Sequence, residues 1–180
     1  MSTDGFARFF GRVTACHMVT YFVAGILAYT LLDYATAFES ENLACYMKPT
    51  SSRWIVLGPA FQVIRGFVFA AALFPFRRVF LEESRGWLKL WGLLFGIGIL
   101  STYGPSPGSI EGIIYTKIPP LDQIWGLRET VGQSLVFSFL LVAWYRKPHR
   151  AWGVMLYGLA VLFFLMSLAG AVAPRPEAFQ

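Results

Sequence analysis

The chain has 180 residues, of which 56% are hydrophobic and 14% charged, whereas a soluble domain carries about 25% charged residues. The apolar residues fall in runs of about twenty, which excludes an ordinary soluble domain and makes the lipid bilayer the first partner. A net charge of +5 would normally raise nucleic acid as a partner, but the basic residues flank apolar runs and form no basic face with interleaved aromatics, so no nucleic acid is expected.

Five apolar segments follow in chain order. The first, 13–32, is preceded by Arg8 and Arg12. Ala35-Thr36-Ala37 resembles a small-residue cleavage site, but the apolar stretch is longer than a signal core of about 7–15 residues and reads as a retained helix. His17, Tyr21, Gly25, Tyr29 and Asp33 recur every fourth position, a slowly winding stripe expected to face other helices. His17 reads chiefly as a hydrogen-bonded interface histidine, and His17 with Tyr21 as a candidate proton relay. A bis-histidine haem would need His149 at the same depth, and His149 lies outside the apolar runs.

The loop 33–53 is polar and acidic and leads into the second segment, 54–74. Arg65 lies there roughly 16 Å along the helix from Trp54, where placing a guanidinium in hydrocarbon costs about 2.5–3.5 kcal/mol. It is therefore expected to face the protein interior with a partner. Gly58, Gln62 and Arg65 share a face by their i, i+4, i+7 spacing, with Pro59 and Gly66 beside them permitting a kink or close approach.

The third segment, 87–103, holds Gly92 and Gly96 as a GxxxG with Gly98 beyond, a spacing that suits a packing face within or between subunits. The loop 104–123 is punctuated by proline and glycine, and its apolar middle, 110–115, is expected to cap the bundle or dip into the interface. The fourth segment, 124–145, brings Arg128, Glu129 and Gln133 into its outer turns. The fifth, 151–172, is the least polar and the one expected to face lipid.

Lys and Arg set the orientation. Arg8, Arg12, Arg77, Arg78, Arg85, Lys89, Arg146, Lys147 and Arg150 flank one side, outnumbering Lys48, Arg53, Lys117 and Arg175 on the other. The positive-inside rule then places the N-terminus inside and the C-terminus outside. The expected fold is all-α: one transmembrane domain over 1–180, a polytopic bundle of five helices in the cell's inner (plasma) membrane.

The leading functional expectation is binding or passage of a small polar solute, anions included. Its pocket would lie between the first, second and fourth helices, where Gln62, Arg65, Glu129 and Gln133 form a hydrogen-bonded group with Arg128 nearby and Tyr103 above. Two alternatives stand beside it: an accessory or scaffolding subunit of a larger membrane complex, and a membrane enzyme acting on a lipid or quinone with Glu129 or Glu111 as acid–base group. A homo-oligomer is a further possible partner state, since five helices make a thin wall around a pore. Cys16 and Cys45 lie toward opposite surfaces and read as free thiols. The sequence calls for no cofactor and no metal: no Walker A, HExxH or GxSxG occurs. Glu82, Glu83 and Arg85 read as a solvated charge cluster.

Overall fold

The computed structural model describes residues 5–100 and 106–173. Tyr103, the end of the third segment, the start of the 104–123 loop and Arg175 lie outside the described residues. The fold is all-helical, with no strand among the described residues. Among the described residues, three helices are long and apolar enough to cross a membrane: Phe6–Leu31, Gly58–Leu81 and Arg150–Val172.

The first of these, α1 (Phe6–Leu31), is the hub. Residues 13–20 are buried on every side, as expected of a helix that is apolar all round and packed among others. It contacts α4 (Gly58–Leu73), α8 (Pro120–Arg146) and α9 (Arg150–Val172). The α1–α4 contact is the closest. A Cβ at Gly66 would stand 2.7–2.9 Å from Thr14 atoms, including its Cα, so only glycine lets the two backbones meet there. Toward the chain's start the seam continues as an aromatic cluster, Phe6 and Phe10 meeting Phe67 edge-on, with Phe74 against Phe6 and Phe9.

The second segment is bent rather than straight. A short α3 (Arg53–Val56), capped by Ser52, precedes α4, and Pro59 sits in the first turn of α4. In an unbroken helix the Ala60 N–H would bond the Val56 carbonyl. Ser167 of α9 is inserted between them instead, donating to Val56 O at 2.6 Å and accepting from Ala60 N at 3.3 Å. A side chain wedged into the helical ladder is one of the recognised causes of a kink, and here it also fastens α9 to the bend.

After α4, a 3-10 turn (Phe74–Phe76) and α5 (Arg77–Leu81) lead into the turn before α6 (Gly86–Leu100). Arg85 adopts a left-handed φ of 55°, and a Cβ at Gly86 would collide with the Phe80 carbonyl at 1.9 Å. Glu83 pairs with Lys89 rather than with Arg85. Arg146, at the end of α8, donates to the Leu81 carbonyl at 3.0 Å, a group left bare at the end of α5, and to the Glu83 carbonyl in the turn. Arg12 lies over the rings of Trp144 and Tyr145, and Arg77 over Phe74. This is the basic end of the bundle.

At the opposite, cap end lie α2 (Tyr34–Glu39), a run of turns over 40–52, α3 and α7 (Ile110–Tyr115). The apolar middle of the 104–123 loop is thus a short helix, begun by Ser109, whose hydroxyl accepts from Gly112 N at 2.9 Å. Gln123 ties this cap down from α8. Its Oε1 accepts from Gly108 N at 3.1 Å and its Nε2 donates to Ile118 O at 2.7 Å. A buried amide satisfied this completely is structural.

Two helices fall short of the composition of a free-standing apolar span. The described residues of α6 number 15, up to Leu100. At 27 residues α8 is long, but Asp122, Arg128 and Glu129 crowd its first half. α6 packs on α8 through Trp87 against Phe139 and a bond from Trp91 Nε1 to Val131 O at 3.4 Å. Its glycines take no part: nothing stands within 4 Å of a Cβ at Gly92, Gly96 or Gly98. The GxxxG is not a packing face among the described residues.

Candidate functional site

A cleft of about 1050 Å³ lies at the cap end, walled by the last turns of α1, by α2 and the turns after it, and by the first turns of α4 and α8. The stripe read from α1 opens onto it, for Tyr21, Gly25 and Tyr29 all line it. Why it stays open follows from the elements around it. The Pro59 bend carries α3 away from α1, and α1 ends in a reversal at Asp33, whose φ of 47° is left-handed. Aspartate tolerates that conformation better than most residues. The reversal folds α2 back over the cleft.

It also delivers Tyr34 to α8, where the phenol donates to Glu129 Oε2. Tyr34 stacks on Phe38 with ring centroids 5.0 Å apart. Burial and the bonded carboxylate push the Tyr34 hydroxyl above its ordinary pKa, so it stays protonated and remains the donor. Arg128 lies flat over Trp125, 4.0 Å from its centroid, and its Nε donates to Trp125 O at 2.9 Å. The guanidinium is thereby held in place while its terminal nitrogens have no partner among the described residues.

Beneath the cleft the bundle is shut. One turn further along α1 and α4, His17 and Gln62 are both buried, and His17 Nε2 lies 2.9 Å from Gln62 Oε1. Gln62 Nε2 donates to Gly58 O at 3.0 Å, which fixes the amide orientation and makes His17 Nε2 the protonated nitrogen. Phe69 and Phe137 meet the same imidazole edge-on, with centroids at 4.9 and 5.9 Å. Of the site residues predicted on the first two helices, His17 and Gln62 therefore form a dry plug rather than a pocket wall. Tyr21 stands between plug and cleft, its hydroxyl 3.5 Å from the position of a Cβ on Gly58.

The predicted group of Arg65, Gln62, Glu129 and Gln133 does not assemble. Gln62 is taken by His17 and Glu129 by Tyr34. Arg65 is exposed, lies over the Phe69 ring at 5.6 Å, and makes no ion pair with Glu129 among the described residues. The reason is azimuth. Gln62, Gly66 and Ala70 are the α4 face seated on α1, and Arg65, three residues from Gln62, is turned about 60° from it. Gln133 is half-buried on the far side of α8, in a separate groove against α1. Arg128 and Glu129 stand on the ridge that lines both cleft and groove.

Sequence reasoning missed Tyr34, Gln123 and Ser167. Tyr34 carried a faint signal, since it follows an aspartate that ends an apolar run. For Gln123 and Ser167 no local pattern existed. His149 caps α9, accepting from Ala151 N at 3.3 Å, and Glu111 is a half-buried first-turn residue of α7. Cys16 is buried and Cys45 exposed, both as free thiols. No group of three His, Cys, Asp or Glu side chains forms a metal site among the described residues. Comparison with family models, with curated proteins and with solved structures finds no match for this chain.

Proposed function

We propose that this chain is a five-span protein of the cell's inner (plasma) membrane that binds a small polar solute in the cleft at its cap end. The spans are α1, the bent α3–α4 helix with α5, the apolar run 87–103, α8 and α9. The charged turns of α8 are tolerable because they face a polar cleft at the membrane surface. The basic end is cytoplasmic by the positive-inside rule, which puts the N-terminus inside, the C-terminus outside and the cleft on the outer face.

The reading rests on one observation: a concavity of ligand size, about 1050 Å³, onto which the Tyr34–Glu129 pair and Arg128 converge between aromatic walls. Concave sites with an apolar lining and a few fixed polar groups are the usual form of small-molecule pockets. Without Arg65 the charge no longer favours an anion, because Arg128 is offset by Glu129 and Asp122 at the same cleft. A solute with a planar or apolar body and a hydrogen-bonding group fits better. The plug of His17, Gln62, Phe69 and Phe137 argues for binding rather than passage through a single chain.

Two measurements test this in the full chain carrying Cys45→Ser. Gly126→Cys, in the cleft wall, should react with a membrane-impermeant thiol reagent applied from outside, and Phe137→Cys, in the plug, should not. Native mass spectrometry of gently purified protein should show a small-molecule adduct that Gly126→Trp abolishes. An unreactive Gly126→Cys, or an adduct indifferent to Gly126→Trp, removes the reading. The accessory-subunit alternative draws support from the exposed Arg65 and the uncovered α6 glycines. Other membrane chains travelling with the protein when it is purified at native abundance would favour it.

A further inference from the structure

The groove on the other side of the Arg128–Glu129 ridge differs in chemistry from the cleft. Its volume is about 380 Å³ and it runs between α1 and α8 from Leu31 and Arg128 at the cap end to Val19 and Leu140 near mid-bundle. Its walls are aliphatic. Thr20, which also lines it, donates its hydroxyl to Cys16 O at 2.8 Å along its own helix and so offers the groove its methyl group. From Arg128 to Leu140 the α8 wall is about 18 Å long, close to the half-thickness of a hydrocarbon core of about 30 Å.

Besides Thr20, three polar side chains break the aliphatic lining: Arg128, Glu129 and Gln133. Arg128 stands at the mouth, braced on Trp125 with its terminal nitrogens unpartnered among the described residues. Glu129 is engaged by Tyr34 on the cleft side. Gln133 lies five residues deeper, about 7 Å along the axis, and likewise has no hydrogen-bond partner among the described residues. A cation at the interface, an amide one step below it and an aliphatic channel one leaflet deep match, in order, the phosphate, the ester carbonyl and the acyl chain of a glycerophospholipid.

We propose that the α1–α8 groove is a binding site for one anionic phospholipid of the outer leaflet. Its phosphate is held by Arg128, an ester carbonyl by Gln133, and one acyl chain lies along Val23, Ala24, Val136 and Leu140. The site is independent of the solute cleft except for the shared ridge. The lipid would form the wall behind Glu129 and so hold the Tyr34–Glu129 pair toward the cleft.

Gly132 lines the groove and Gly126 the cleft, and a Cβ at either meets nothing within 4 Å. Each space can therefore be filled without touching the other. The full chain in detergent is offered equal amounts of phosphatidylglycerol and phosphatidylcholine and read by native mass spectrometry. Wild type should retain phosphatidylglycerol with about tenfold preference, equal to about 1.4 kcal/mol. Gly132→Trp should reduce both lipid adducts severalfold while Gly126→Trp leaves them unchanged, and Arg128→Gln should erase the headgroup preference. Ala24→Phe fills the same groove from α1 and serves should Gly132→Trp fail to fold. Equal retention of the two lipids by wild type, a Gly132→Trp chain that binds like wild type, or a retained quinone or free fatty acid in place of phospholipid would each overturn the proposal.

Discussion

Along α1, residues 13–20 are buried on every side, whereas from Tyr21 to Leu31 most positions are open or half-open. Both stretches are apolar, so hydrophobicity does not separate them. Residue size and the shape of the neighbouring helix do. Thr14 faces α4 where that helix presents Gly66, and the two backbones close there. Beyond Tyr21 the partner helix is bent at Pro59 and pinned there by Ser167, and aromatic rings fill part of the space without closing it. One helix thus builds a dry plug at its centre and a ligand-sized cleft at its end.

The sharpest way to break this contrast is Gly66→Leu. The nearest obstacles to a Cβ there include the Thr14 backbone, which cannot rotate away. Overpacking of this kind costs about 3 kcal/mol. Thermal unfolding in detergent should show a large fall in Tm or no folded protein at all, while Gly126→Leu in the cleft should fold normally. Equal tolerance of the two substitutions would mean that the α1–α4 seam is no tighter than the cleft.

Next in size is Gln62→Leu. It strands the buried His17 N–H, at a cost of about 1–3 kcal/mol for an unsatisfied buried group. Gln133→Leu, in the open groove with no hydrogen-bond partner to lose among the described residues, should change Tm little. Matched effects at the two glutamines would show that the plug is as wet as the groove.

These two glutamines also mark what the sequence could and could not disclose. Apolar runs announced α1, α4 and α9 because length and composition alone define such helices. Spacing correctly put Gly66 at a close approach and Tyr21, Gly25 and Tyr29 on one stripe. Depth could be counted along each helix, which made Arg65 and Glu129 look like partners, but depth says nothing of rotation. The seat of Gly66 on Thr14 fixes the rotation of α4, and that is a contact between residues far apart in the chain. Tyr34 was invisible for a related reason: its approach to Glu129 depends on a left-handed turn at Asp33, which many aspartates never adopt. The GxxxG of α6 was legible as a motif while its partner was not, since no helix among the described residues meets it.

A smaller effect is expected at the cleft's rim from Tyr34→Phe, and it should depend on pH. The folded hydroxyl is held above its ordinary pKa of 10.0 by burial and by Glu129. Above that pH the unfolded chain releases the proton while the folded chain keeps it, so the stabilisation is complete below pH 10 and lost as pH rises further. Because Tyr34 is half-exposed, solvent screens the interaction and the effect is modest. Wild type should melt slightly above Tyr34→Phe near pH 8, and the gap should narrow toward pH 11. A gap that widens with pH would place the phenol away from Glu129.

The smallest effect is predicted for Gly92→Leu, and its value lies in being small. Gly92 is exposed on α6 and a Cβ there meets nothing, so a leucine should cost no packing. A glycine inside a helix is less favourable than an ordinary residue by about 0.5–1 kcal/mol, so the substitution should leave Tm unchanged or raise it by a degree or two. The isolated chain and the chain in its native membrane need not agree. If another helix covers this face in the cell, as the accessory-subunit alternative requires, the leucine would hold that helix off and the assembly would weaken although the single chain had not. Measured on the purified chain, Gly92→Leu tests whether α6 is as open as the cleft. Measured as co-purification from membranes at native abundance, it tests whether that openness is filled by a neighbour. A fall in Tm of the isolated chain would show instead that part of its own sequence closes over α6, and the line between packed centre and open periphery would have to be redrawn there.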